Sequence, residues 1–162
     1  LLGINLCHAQ FPRQLITTIP ETLEDDDQPV TIIYDASQGN KAFNMYDGDM
    51  YAHTGVTTGG VAWQHIPDYK NCPMTKMGDN KWRITMPQGI RKFYGVPDNE
   101  SISQIAIIFR NEAGDIWGKG EIEDGNLFIN VGTKIAVNPT NTSINDPVVI
   151  AINAMHSTYN PS

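Results

Sequence analysis

Short apolar and β-branched runs alternate with clusters of Gly, Asn, Asp and Pro along this chain, a rhythm that predicts strands rather than helices. Val30-Thr31-Ile32-Ile33-Tyr34 predicts a strand, and Asp35-Ala36-Ser37-Gln38-Gly39-Asn40 turns it. Residues 50–56, after Asp47-Gly48-Asp49, predict a second, and residues 61–66, stopped by Pro67, a third. Residues 74–77 and 81–86 flank Gly78-Asp79-Asn80, a hairpin signal. In the second arm Trp82, Ile84 and Met86 alternate with Lys81, Arg83 and Thr85, which sends Trp82 to the core. Residues 90–94 predict one helical turn ended by Gly95 and Pro97. Residues 102–110 are almost continuously apolar, as in a central strand covered on both faces. Residues 116–119 form the return arm of a hairpin, and residues 127–131 follow the Asp124-Gly125 turn.

Seven or eight such strands, with no helical pattern of adequate length between them, predict an all-β fold. The expected architecture is a two-sheet, immunoglobulin-like β-sandwich with an extended leader and a C-terminal linker and strand. Residues 1–28 read as a signal-peptide remnant and leader, because Leu1–Gln10 is apolar with a small residue at Ala9, and residues 11–28 carry Pro12, Pro20 and Glu24-Asp25-Asp26-Asp27. Residues 29–132 read as the sandwich. Residues 133–162 read as a linker and the first strand, residues 148–152, of a truncated following module; a last strand of the same sandwich is the alternative. That apolar strand is expected to pair with a sheet edge, including one on a neighbouring chain as a tail-mediated homodimer.

Charge narrows the partners. Eleven basic against 18 acidic residues give a net charge of −7, and no Lys/Arg cluster exists to replace phosphate counterions, so no nucleic-acid partner is expected. The acidic run reads as a solvated linker rather than a calcium site. No apolar run is long enough for a transmembrane segment. Cys7 and Cys72 have no metal spacing; two free thiols are the favoured reading, and a disulfide in an exported protein is the other. No nucleophile elbow, zinc-binding helix, phosphate loop or dinucleotide fingerprint occurs, and most carboxylates sit in turns. The expectation is a protein that is not an enzyme and needs no cofactor or metal.

Aromatic residues carry the remaining chemistry. A sugar ring offers a flat C–H face to an aromatic ring, and its hydroxyls need planar polar partners. Trp63, in phase with Val61 and His65, reads equally as core or as platform, and Trp117 follows a hairpin loop.

Four segments resemble a known type of module. They are Asp49-Met50-Tyr51-Ala52-His53-Thr54-Gly55-Val56 with Trp63; Met77-Gly78-Asp79-Asn80-Lys81-Trp82; Ile90-Arg91-Lys92-Phe93-Tyr94-Gly95-Val96-Pro97; and Ile107-Ile108-Phe109-Arg110-Asn111-Glu112-Ala113-Gly114. Together they resemble the N-terminal β-sandwich modules of secreted and outer-surface proteins in bacterial starch- and glycan-utilisation systems. More distantly, they are similar to the starch-binding modules of amylases. The resemblance spans about residues 29–131. It implies a secreted or cell-surface carbohydrate-binding module that takes a polysaccharide or oligosaccharide, most often an α-glucan, and that precedes a catalytic or binding domain. The aromatic platform of those modules falls on Tyr51, His53 and Trp63, where His53 replaces the usual aromatic. Tyr69 stands where relatives carry a further Trp, Asn111 takes the polar contact, and Trp117 completes the candidates. The rival readings are a structural spacer or interaction domain without a working sugar site and, more weakly, a small glycan-active enzyme.

Overall fold

The computed structural model describes residues 13–121 and 125–132. Ten strands follow in order: β1 (Ile16–Ile19), β2 (Leu23–Glu24), β3 (Val30–Asp35), β4 (Met50–Thr58), β5 (Val61–Gln64), β6 (Thr75–Gly78), β7 (Lys81–Met86), β8 (Ile102–Asn111), β9 (Trp117–Gly118) and β10 (Leu127–Gly132). One helix, α1 (Gly89–Tyr94), and a 3-10 turn at Tyr69–Asn71 complete them. One sheet has the order β1-β3-β7-β6; the other runs β2-β10-β8-β4-β5, with β9 also on β8. The fold is an all-β sandwich.

Period-two patterning explains the layers. Trp82, Ile84 and Met86 of β7 are buried while Lys81, Arg83 and Thr85 are exposed. On β4, Met50, Ala52, Thr54 and Val56 face inward. On β8, Ile105 through Phe109 are all buried, so this strand is covered on both sides. Tyr34 of β3 and Phe109 of β8 stack across the interior with ring centroids 3.9 Å apart, joining the two sheets. Each fully buried Ile or Val contributes roughly 1.5–3 kcal/mol relative to an exposed one. Thr54 lies in this core, where its hydroxyl donates to the Ala106 carbonyl and sits 2.7 Å from the Tyr94 hydroxyl. Between β6 and β7, Asp79 and Asn80 both take positive φ, the turn geometry that a two-residue hairpin favours.

One boundary differs from the sequence expectation. Residues 16–24 are not leader: β1 pairs antiparallel with β3, and β2 pairs parallel with β10. The acidic run is docked at Asp25, while Glu24 and Asp27 stay exposed. Arg91 of α1 grips the Asp25 carboxylate with Nε and Nη2, and it also donates to the carbonyls of Pro97 (2.6 Å) and Glu100 (2.9 Å). Lys92 reaches Asp27 at 3.2 Å. Pro20 and four successive acids hid two short strands whose hydrogen-bond partners lie far along the chain. Cys72 is buried and has no disulfide partner among the described residues. The signal-peptide remnant, Cys7, the linker, the strand at residues 148–152 and the tail-mediated homodimer lie outside the described residues.

Removing Arg91 strands the buried Asp25 carboxylate and two carbonyls. Arg91→Ala is expected to lower unfolding free energy by about 3 kcal/mol or more, read as an earlier midpoint in urea denaturation. A shift under about 1 kcal/mol would mean that the strap is a surface ion pair.

Candidate functional site

Residues on β4 that face away from the core begin the site. Tyr51 and His53 point outward because Met50, Ala52 and Thr54 point in. The β4–β8 register sets Tyr51 opposite Arg110 and His53 opposite Ile108, and β9 sets Trp117 opposite Arg110. One row across the outer face is therefore Tyr51, Arg110, Trp117.

Two irregular segments add the other rings. Trp63 stands on β5 in the left-handed region at φ 60°, and His65 follows at φ 51°. A non-glycine residue there costs roughly 1 kcal/mol or more, and such strain gathers at functional sites. Gly55 permits the arrangement, since a Cβ on it would lie 2.8 Å from the Gln64 carbonyl and 3.0 Å from Ile66 Cγ1. Downstream, Ala52 N–H donates to the Cys72 carbonyl and Met74 N–H to the Met50 carbonyl. These bonds seat the chain after the 3-10 turn against β4 and bring Tyr69 beside Tyr51.

The rings meet in a defined geometry. His53 and Trp63 stack with centroids 5.3 Å apart and planes 25° apart. Trp117 meets His53 edge-on at 5.9 Å, and Tyr69 meets Tyr51 edge-on at 5.3 Å. Arg110 bridges the two groups, its guanidinium carbon 4.0 Å from the Tyr69 ring centroid and 5.2 Å from that of Trp117. The hairpin loop fixes this arginine: Nε donates to the Asn111 carbonyl and Nη2 to the Glu112 carbonyl, both at 3.1 Å. Trp117 Nε1 donates to the Gly114 carbonyl at 2.8 Å. At φ 76° Gly114 holds a backbone conformation that strains any side chain, and a Cβ there would displace the Arg110 guanidinium.

Five of the six expected residues thus come together: Tyr51, His53, Trp63, Tyr69 and Trp117. Asn111 does not join them. It follows Arg110 by one position and so faces the interior, where its Oδ1 accepts from the N–H of Gly114 and Ile116 and its Nδ2 donates to Asp115. Asn111 clamps the loop, and the polar side chain beside the rings on the outer face is that of Arg110. The signal for Arg110 was present, a lone cation in phase with Ala106 and Ile108 at the end of an apolar strand.

Burial, and then the nearby Arg110 cation, hold the His53 imidazole below its usual pKa. It is neutral at neutral pH and can both donate and accept. Partial burial and the carboxylates of Glu112 and Asp49 raise the Tyr51 phenol. Arg110 Nη1 makes no hydrogen bond among the described residues. The patch thus offers ring faces, a neutral imidazole and a positioned guanidinium. Among the described residues no group of three His, Cys, Asp or Glu side chains could hold a metal ion. None of the helices there is long and apolar enough to cross a membrane.

A family model matches residues 16–117. The chain belongs to the DUF8578 family, a domain of unknown function. No curated protein matches it. The matched stretch begins with the first residue of β1, in agreement with the revised N-terminal boundary, and contains every residue of the aromatic patch.

The depressed His53 pKa has a pH consequence with a definite sign. As pH falls below about 6.5, the unfolded chain takes up this proton before the folded chain does. Stability contributed by the neutral imidazole is therefore complete above that value and declines as pH falls toward the folded-state pKa. In an NMR titration His53 is expected to protonate below its usual range, and Arg110→Gln is expected to move that pKa up. No movement would detach His53 from the guanidinium.

Proposed function

We propose that this domain is a non-catalytic carbohydrate-binding module whose ligand is a glycan of the α-glucan class. The observation that carries the reading is the convergence of Tyr51, His53, Trp63, Tyr69, Arg110 and Trp117 on one solvent-facing side of the sheet. Those residues come from two central strands, two short strands and a 3-10 turn, and none of them belongs to the buried cluster between the sheets. Ring faces next to a guanidinium and a neutral imidazole suit a pyranose, which presents C–H groups on one face and hydroxyls at its edge. The α-glucan class rests on the resemblance to starch-binding modules, whose platform falls on Tyr51, His53 and Trp63. The domain would then serve as an accessory module of a larger secreted or surface protein that captures or degrades glycans.

A spacer or interaction domain is the second reading, and one observation favours it. His53 and Trp63 stack on each other and Trp117 is bonded to its own loop, so part of the ring surface is satisfied within the protein.

The two readings separate in affinity electrophoresis through amylose, pullulan, xylan and cellulose. Retardation is expected in amylose and pullulan. Trp63→Ala is expected to weaken it by about 2 kcal/mol or more while thermal unfolding stays cooperative. Free migration of the unaltered protein in all four gels would leave the spacer reading standing.

A further inference from the structure

The outer face of the larger sheet continues past the aromatic patch. On β10, Phe128 stands opposite Ala106 and Asn130 opposite Gln104; on β4, Gly55 stands opposite Ala106 and Thr57 opposite Gln104. Below the Tyr51–Arg110–Trp117 row and the His53–Ile108 row lie two more: Gly55–Ala106–Phe128 and Thr57–Gln104–Asn130. β9 and β10 border the same edge of β8, because β4 occupies the other edge along its whole length. Trp117 and Phe128 are therefore in one column. Their partners Arg110 and Ala106 are four residues apart, which puts the two backbone positions about 13 Å apart along the strand.

The lower rows have the composition of a ligand surface. Phe128 is 46% exposed, although its sheet partner Ala106 is fully buried. Gln104 Nε2 donates to Asn130 Oδ1 at 3.1 Å, which ties the two amides together across the strands. Asn130 Nδ2 makes no hydrogen bond among the described residues. Phe128 and Asn130 also line an open groove of about 600 Å³ shared with Thr17, Thr18 and Glu21 beside β1.

We propose that Phe128, Gln104 and Asn130 form a second subsite of the glycan site, and that the ligand is an oligosaccharide chain long enough to cover both. This inference rests on the carbohydrate-binding reading above. The spacing exceeds the reach of one sugar ring and calls for a chain that passes over the covered Ile108 and Ala106 positions, stacked on the patch at one end and on Phe128 at the other. The amide row meets the hydroxyls at the far end, as the guanidinium and imidazole do at the near end. A single monosaccharide cannot use both ends, so affinity rises with chain length.

Calorimetric titration with maltotriose and maltoheptaose tests this. The unaltered protein is expected to bind the heptaose on the order of tenfold more tightly than the triose, equivalent to about 1.4 kcal/mol. Phe128→Ala is expected to remove that gain and leave triose binding unchanged, with Asn130→Ala giving a smaller loss of the same kind. Trp63→Ala is expected to weaken both oligomers. Equal affinities for the two oligomers, or a length gain that survives both lower-row substitutions, overturn the second subsite and leave the module reading intact. Binding of neither oligomer by the unaltered protein overturns both. Phe128 and Asn130 are exposed, and circular dichroism of the variants verifies that they keep the fold.

Discussion

The pairing of β4 with β8 is the constraint on which both sides of this molecule depend. It runs from Met50 opposite Asn111 to Thr58 opposite Ile102, with one irregularity near Thr57. Side chains in a strand alternate between faces, so one register decides the core and the site together. It sends Met50, Ala52, Val56, Ile105, Ile107 and Phe109 inward, and Tyr51, His53 and Arg110 outward. A slip of one residue would put Tyr51 and His53 into the core and Met50 and Ala52 into water. The Tyr34–Phe109 stack opposes that slip, because it ties β8 to the other sheet at a position that exists in only one register.

Around that pair, irregular backbone does what regular strands cannot. β9 contributes only two residues, and β5 holds Trp63 in a left-handed conformation. Both rings would be ill-placed without local anchors. Gly55 admits the chain of β5 close to β4, and Gly114 lets the hairpin loop fold over the Arg110 guanidinium. Arg110 then links the loop, Tyr69 and Trp117 by two carbonyl bonds and two ring contacts. Arg91 does a comparable job at the other end, holding residue 25 and the loop before β8. In each case one guanidinium satisfies several carbonyls that a tight turn would leave without donors.

The strands that could be read from sequence are those with strong alternation or an unbroken apolar run: β3, β4, β7 and β8 were all legible, and Trp82 went to the core as its phase required. β1 and β2 were not, because short strands flanked by Pro20 and an acidic run carry little local signal and are stabilised by partners elsewhere in the chain. The aromatic candidates were legible as residue types, and the structure assembles five of them. Asn111 turns inward instead of joining the rings. Sequence shows that a polar residue follows an apolar strand, while only the register shows which of two neighbours, Arg110 or Asn111, faces outward. Phe128 lay in plain view within the β10 pattern, but its place in the Trp117 column follows from which edge of β8 each short strand takes.

The opposite outer face of the same sandwich gives a control for reading the aromatic side. On the β1-β3-β7-β6 sheet the row through the middle is Thr17, Ile33, Arg83 and Thr75, and the next is Ile19, Thr31 and Thr85. Thr31 and Thr85 bond to one another across the strands at 3.0 Å, and no aromatic side chain occupies these rows. A solvent-facing sheet surface therefore needs only threonines, a few cations and scattered aliphatics to satisfy this fold. The larger sheet departs from that pattern at a cost, with Trp63 and His65 at unfavourable φ and large rings left partly exposed. Packing between the sheets does not require them, since the interior is already filled by another set of side chains. The rings gather on one outer face and do not occur in these rows of the other, and that asymmetry is what the proposed binding role rests on.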